Sequence, residues 1–367
     1  MTAVGRGADR GHGVPLRQAV GIAGRFQSAT RVVPPEIRVN LRTGTRPPRQ
    51  AMAILVATNR NIANRNRNDL RLFGDRVNSK GPSEIRLAWA ERINGRWQLD
   101  LVPEPDRLRE INRPSRLVFA ACRDSLEETG RHCSLYVHGY NQEFEATLNQ
   151  AYELRQRYGL AIVLFSWPSN PGGLFIDEYA RARAIARTSS TAFARILDLL
   201  ARYFRETGAQ HCQISFNMII HSLGNLLFEE FVRAPMFATR VRIFDNILLH
   251  QADVDLEGHV QWVDQVRIGR RLYITLNERD KVLDLSDIIN PDRLGNTVRN
   301  LTATRAVYVD FTHAPNVGTI HQLFGEGARA NADVQAFFLS ALRGGRPERT
   351  ELLEYDPRQN THAVGQG

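Results

Sequence analysis

Ser222 is the residue in this sequence with the clearest chemical signal. It follows the apolar run 214–220 and precedes a helical pattern, the arrangement that holds a nucleophilic serine on a sharp turn at the carboxyl end of a strand. Small neighbours are needed at such a turn, and Gly224 supplies one two residues downstream. Ile220 stands where a second glycine is usual, so the match to the G-x-S-x-G pattern is partial.

A second loop, 138–141, has the sequence His-Gly-Tyr-Asn and also lies between an apolar run and a helical pattern. Acyl transfer needs N–H donors for the oxyanion, one just after the nucleophile and one from an earlier strand-to-helix loop. Gly139 permits close backbone approach, so the backbone N–H groups of Tyr140 and Leu223 are predicted to form the oxyanion hole. The alternative is an ordinary loop in which His138 is simply hydrogen-bonded.

Five segments together resemble the α/β-hydrolase superfamily and, within it, a bacterial family of uncharacterised hydrolases. They are Ile54–Arg60, Val137–Asn141, Phe165–Ser169, His221–Asn225 and Ala252–Asp255. Their order and spacing are similar to that family from about residue 52 to about residue 340. His-Ser-x-Gly without the first glycine is familiar there, so the resemblance implies a serine hydrolase despite Ile220.

The resemblance also implies that the acid and then the histidine follow the serine along the chain. A serine hydroxyl attacks once an imidazole takes its proton, and a carboxylate orients that imidazole. Asp280 is the predicted acid and Asp253 the alternative, although either could instead cap a helix or turn. His321 is the predicted base because it resembles a late Gly-His position, with Ile320 replacing the glycine, and His313 is the alternative.

Trp167 follows another predicted strand that ends at the same edge of the sheet. Together with His138 and Gly139 it is predicted to border the substrate pocket. A tryptophan at the end of a strand is also commonly part of the core, which is the alternative role.

Short apolar runs alternate with helical patterns from Ser134 onward. This rhythm predicts an α/β fold with a doubly wound, mostly parallel sheet, helices on both faces and ligands at the carboxyl ends of the strands. Before it, the stretch 85–101 predicts a hairpin around Asn94-Gly95. The strands are predicted at 161–165, 214–220, 243–249, 272–276 and 306–309, and the helices at 144–157, 178–203, 226–233 and 334–342.

Three regions are predicted along the chain. Residues 1–50 are basic, contain Pro-Pro pairs and lack periodicity, so a poorly ordered extension is expected there. Residues 51–345 are expected to form the α/β-hydrolase domain, and residues 346–367 a polar tail that frays.

Composition excludes several classes of protein. A hydrophobic content of 43% with 24% charged residues is ordinary for a globular protein, and no run is long enough for a membrane helix. Three cysteines and the lack of an apolar leader predict a cytoplasmic location without a disulfide framework. The net charge of +9 comes from arginines interspersed with acids, so nucleic acid is not an expected partner. No metal or nucleotide motif appears, so no cofactor is expected.

These residues predict a serine hydrolase that cleaves a small-molecule carboxylic ester or thioester through an acyl-enzyme on Ser222. A peptidase or an acyltransferase would use the same residues, so both stay open. A further alternative is a non-catalytic interaction protein that keeps the hydrolase scaffold.

Overall fold

An eleven-stranded sheet organises the structure, a computed structural model that describes residues 53–103, 114–207, 214–234, 241–287 and 290–364. The described residues all belong to one unit of the chain. The predicted N-terminal extension, residues 1–50, lies outside them, as does Cys212. Cys122 and Cys133 are free thiols.

The strands and helices follow one another along the chain largely as the alternating pattern predicts. The strands are β1 (Ile54–Thr58), β2 (Arg60–Ile62), β3 (Phe73–Val77), β4 (Arg86–Ile93), β5 (Arg96–Val102), β6 (Cys133–Val137), β7 (Ala161–Ser166), β8 (Phe216–His221), β9 (Phe244–His250), β10 (Gly269–Leu276), β11 (Ala306–Asp310), β12 (Leu353–Asp356) and β13 (Thr361–Val364). The helices are α1 (Pro114–Thr129), α2 (Phe144–Tyr158), α3 (Phe175–Thr207), α4 (Gly224–Arg233), α5 (His259–Val263), α6 (Lys281–Asp287), α7 (Ala328–Ala330) and α8 (Ala332–Ala341).

The sheet is mostly parallel, in the order β12-β13-β11-β10-β9-β8-β6-β7-β1-β4-β5. Every pairing from β13 across to β1 is parallel, and antiparallel strands occur only at the two edges of this sheet within the described residues. The chain leaves β6 for β7 on one side and then crosses to β8 on the other. Because ligands of such sheets bind where the strand order reverses, the loops after β6 and β8 are where a site is expected.

Helices cover both faces of the sheet. Because successive strand residues point to opposite sides, alternate residues of one strand pack against different helices. In β6, Leu135 and Val137 belong to a core cluster shared with α1, α3, α4 and α5. Tyr136, between them, belongs to a second cluster shared with α2 and α8. The predicted doubly wound α/β fold is therefore confirmed. Within the described residues, no helix combines the length and the apolar content needed to cross a bilayer.

The predicted hairpin is also present, formed by β4 and β5 with Ile93 paired to Arg96. Asn94 and Gly95 form its two-residue turn with φ angles of 50° and 79°. Positive φ at both positions is what the tightest hairpin turns require, and asparagine and glycine adopt it with least strain.

The prediction of a frayed polar tail is wrong for residues 347–364. β13 pairs in parallel with β11, and β12 pairs antiparallel with β13 at the edge of the sheet. Leu353 and Val364 are buried in the second core cluster. An edge strand needs few buried side chains, so its apolar pattern is too sparse to stand out from polar sequence.

Candidate active site

Ser222 sits on a strained turn between β8 and α4. Its φ angle is 52°, in the left-handed region that residues other than glycine rarely adopt. Ser222 is 5% exposed, and its N–H donates to the carbonyl oxygen of His250 on the neighbouring strand at 3.0 Å. Such strain persists only where the surrounding structure enforces it, and it occurs frequently at functional sites.

The loop after β6 lies directly against the serine, which explains two glycines. A Cβ at Gly139 would lie 2.7 Å from the Ser222 Cβ, and one at Gly224 would lie 2.7 Å from the His138 carbonyl oxygen. Both distances are shorter than packed atoms allow, so glycine is required at each position. Ile220 is instead fully buried inside β8, away from this contact, so no glycine is needed there.

Asn225 holds the turn from within. Its side-chain amide donates to the carbonyl oxygens of Ser222 at 2.9 Å and of Ile220 at 3.2 Å. The sequence contains this residue in the His-Ser-x-Gly-Asn segment but gives no sign of its role, because its acceptors come together only once the strand turns into the helix.

The predicted acid and base are in contact. Asp280 is fully buried, and its Oδ2 lies 2.6 Å from the Nδ1 of His321. The carboxylate accepts this hydrogen bond, so Nδ1 carries the proton and Nε2 is left as the basic nitrogen. The other oxygen of Asp280, Oδ1, accepts from the N–H of Val282 at 3.0 Å, so the residue also caps α6.

Gln251 supports this pair, a role that the sequence does not reveal. It follows β9 with a φ of 43°, and its side-chain amide donates to the same Asp280 Oδ2 at 2.9 Å. A carboxylate held by several donors stays oriented toward the imidazole.

The alternative acid and base lie elsewhere. Asp253 is buried and accepts hydrogen bonds from the Tyr179 hydroxyl at 2.8 Å and the Ser286 hydroxyl at 2.7 Å. His313 is exposed in the loop after β11. Within the described part of the chain, neither residue is hydrogen-bonded to Asp280 or to His321.

His321 packs against His221, the last residue of β8 and the residue before Ser222. The two ring centroids are 4.7 Å apart, and 15% of the His321 side chain is exposed. Across the residues that the structure describes, no hydrogen bond joins the Ser222 hydroxyl to His321. Catalytic hydrogen bonds of this kind are frequently long until substrate binds.

The predicted oxyanion donors belong to the two segments that meet at Ser222. Leu223 caps the N-terminus of α4, and Tyr140 follows the glycine that touches the serine. In the described ranges, the backbone N–H groups of Leu223 and Tyr140 have no hydrogen-bond acceptor. Buried or partly buried N–H groups are normally paired, so two free donors here are available to an incoming oxyanion.

His138 and Trp167 support the loop and have no solvent-exposed surface, contrary to the expectation that they border an open pocket. Their rings stack with centroids 5.5 Å apart, the His138 Nε2 accepts the Trp167 N–H at 3.1 Å, and Nδ1 donates to the Gly139 carbonyl at 3.0 Å. Burial, and then the charge of Arg60, lower the pKa of His138 to about 3. It is therefore a neutral structural group.

His250, the last residue of β9, is a further buried histidine that sequence patterns leave without a role. Its Nε2 accepts the Leu323 N–H at 3.1 Å, and its Nδ1 contacts the Thr275 hydroxyl at 2.7 Å. Burial, and then the proximity of His321, hold the pKa of His250 well below its ordinary value. The neutral ring thereby fixes the segment that carries His321.

No group of three or more histidine, cysteine or acidic side chains is arranged to hold a metal ion within the described residues. The described residues include a strained serine, a histidine that is paired with a buried carboxylate and lies against His221 beside that serine, and two N–H groups without an acceptor. These are the groups that acyl transfer requires.

Comparison with known proteins identifies a family with the same fold. A family model described as alpha/beta hydrolase of unknown function (DUF900) matches residues 120–322, more than half of the 367 residues. The matched region includes Ser222, Asp280 and His321. No curated protein matches the chain.

Proposed function

The chain belongs to this family of α/β hydrolases of unknown function, and on that basis we propose that it is a serine hydrolase that cleaves a carboxylic ester or thioester through an acyl-enzyme on Ser222. The observation that carries the proposal is the hydrogen bond of 2.6 Å between His321 and Asp280, beside a serine with a φ of 52°. A hydrolase scaffold without catalysis has no need for either feature.

In the acylation step, His321 Nε2 takes the proton from the Ser222 hydroxyl as its oxygen attacks the carbonyl carbon. The negative charge that develops on the carbonyl oxygen is stabilised by the N–H groups of Leu223 and Tyr140. Asp280 keeps the Nδ1 proton in place and stabilises the imidazolium. The tetrahedral intermediate then collapses, and His321 gives its proton to the leaving oxygen or sulfur.

Deacylation repeats these steps with water as the nucleophile. His321 takes a proton from the water as it attacks the acyl carbon, and then returns that proton to the Ser222 oxygen as the carboxylic acid leaves. All groups end in their starting protonation states.

Labelling with a fluorophosphonate tests the proposal, because this reagent forms a covalent bond only with an activated serine. We expect the wild-type protein to be labelled, Ser222→Ala to lose labelling completely, and Ser190→Ala, which removes a serine hydroxyl from α3, to keep it. A panel of esters, thioesters and peptides then separates the reaction classes. A folded wild-type protein that is not labelled would contradict the proposal and favour the non-catalytic alternative.

A further inference from the structure

Arg60 is a buried charge at the carboxyl end of β1 whose role the catalytic groups leave unexplained. It is 1% exposed and begins β2, immediately after the turn that leaves β1. β1 pairs in parallel with β7, so Arg60 stands beside the loop that follows β7.

The guanidinium of Arg60 contacts three separate parts of the chain. Nε donates to the Ser166 hydroxyl at 3.1 Å, and Nη2 donates to the carbonyl oxygens of Trp167 at 3.0 Å and Gln142 at 3.3 Å. Nη1 donates to the Gly74 carbonyl oxygen and to the Asp75 carboxylate, both at 3.3 Å. The planar fork of arginine can hold several oxygens at fixed angles, which the single ammonium of lysine cannot.

Burying this charge is unfavourable. Desolvation lowers the pKa of Arg60 to about 10, while Asp75 partly opposes that shift, so the side chain is still charged at neutral pH. The Asp75 side chain is 78% exposed, so the ion pair is largely screened by water. The buried charge is therefore compensated mainly by hydrogen bonds to the loop oxygens, and those bonds tie its position to that of the loops.

The two backbone carbonyls that share Nη2 belong to the loops after β6 and β7. The same loops are joined again at Ser169, whose carbonyl oxygen accepts the Asn141 N–H and whose hydroxyl accepts the Gln142 N–H, both at 3.1 Å. Arg60, through Gln142 and Trp167, and Ser169 therefore both join the loop after β6 to the loop after β7. The loop after β6 carries Tyr140 and, at Gly139, contacts Ser222 directly.

We infer that Arg60 is a positioning residue that fixes the oxyanion loop, and with it the Tyr140 N–H, against Ser222. The inference rests on the proposed function, since acyl transfer is the reason that the Tyr140 N–H must be held in place. A displacement of about 1 Å at a catalytic donor can lower a rate by about a hundredfold. The Arg60 hydrogen bonds that hold this loop in place should therefore affect the rate of the reaction.

The test replaces Arg60 by lysine, which keeps the charge and loses the fork, with Asp75→Asn as the matched control. We expect Arg60→Lys to lower kcat per titrated active site by about tenfold to a hundredfold with little change in KM. Asp75→Asn should stay within about twofold of wild type, because an exposed partner contributes little. Ser166→Ala, a smaller change that removes one hydrogen bond of Arg60, should act in the same direction more weakly.

A purely structural role would lower the fraction of folded enzyme but not the selectivity of the oxyanion site. We therefore compare an ester with the corresponding thionoester, whose sulfur is larger and accepts hydrogen bonds poorly. Wild type should prefer the ester, and Arg60→Lys should reduce that preference by about tenfold. An unchanged preference would overturn the inference.

Hydrogen exchange gives a readout that needs no turnover. Arg60→Lys should speed exchange at the Asn141 and Gln142 amides, and Asp75→Asn should leave it unchanged. If the wild-type protein is not labelled by a fluorophosphonate, the proposed function fails, whereas the exchange result still decides whether Arg60 holds this loop. Unchanged exchange at both amides contradicts the inference.

Discussion

His138 and His321 both lie near Ser222, and their surroundings give them opposite chemistry. His138 is fully buried, with both ring nitrogens bonded to the backbone of its own loop and of the next one. His321 is partly exposed, with one ring nitrogen bonded to the carboxylate of Asp280 and the other available.

The difference shows that the partner, rather than the residue type, decides which histidine can move a proton. Backbone groups bonded to a buried neutral imidazole do little to stabilise the charged ring, and the pKa of His138 is lowered to about 3 by burial and then by Arg60. A carboxylate stabilises an imidazolium and fixes its tautomer. His138 therefore maintains the oxyanion loop, while His321 has the surroundings of a general base.

The largest effect is expected from His321→Ala. Removing the general base should lower kcat by about 10⁴-fold to 10⁶-fold, because the serine then lacks a proton acceptor. Urea unfolding controls for stability, because this variant leaves the buried Asp280 carboxylate without its imidazole partner. His313→Ala, at the alternative position, should keep activity within about twofold of wild type. Equal losses in the two variants would contradict the assignment of His321, and steady-state hydrolysis of an activated ester measures both.

A smaller effect is expected from Asp280→Asn, compared with Asp253→Asn. The first should lower kcat by about 10⁴-fold, because the amide favours the wrong tautomer of His321. The second should lower kcat by less than about tenfold, because Asp253 is bonded to Tyr179 and Ser286 rather than to a histidine. Urea unfolding of both proteins controls for stability, since Asp280 also caps α6. The reverse ranking of kcat would favour Asp253 as the acid.

Sequence patterns are sufficient to predict the features of the fold that depend on neighbouring residues in the chain. The parallel strands are short apolar runs, and the elbow at Ser222 is visible as a strand, a serine and a helix in succession. Chain order and the resemblance predict the pair Asp280 and His321, and in the structure the two side chains are in contact. Their catalytic roles stay predictions until the variants are measured.

Long-range contacts account for what the sequence does not reveal. Arg60 acts on a carbonyl 82 residues away, and His250 accepts a hydrogen bond from an N–H 73 residues away. Local periodicity carries no information about such partners. The same limit explains why His138 could be a pocket residue or a structural one from sequence alone, since its burial depends on stacking with Trp167.

The smallest effect is expected from His138→Gln, which should change how the free energy of unfolding depends on pH. The pKa of His138 is about 3 in the folded protein and is expected near the ordinary value of 6.5 in the unfolded chain. Between these values the unfolded chain binds a proton that the folded protein does not. The free energy of unfolding therefore falls as pH falls, by up to about 1.4 kcal/mol per pH unit for this group, and its contribution is complete above about pH 6.5.

Glutamine offers a donor and an acceptor but does not titrate, so His138→Gln should lose stability less steeply than wild type on acidification. Urea unfolding at intervals from about pH 7.5 to about pH 4 gives the two curves. His221 and His250, whose pKa values are also lowered by burial, remain in both proteins and cancel in the difference. Parallel curves over the whole range would show that the His138 ring titrates equally in both states. The contrast with His321 would then rest on hydrogen-bond partners alone.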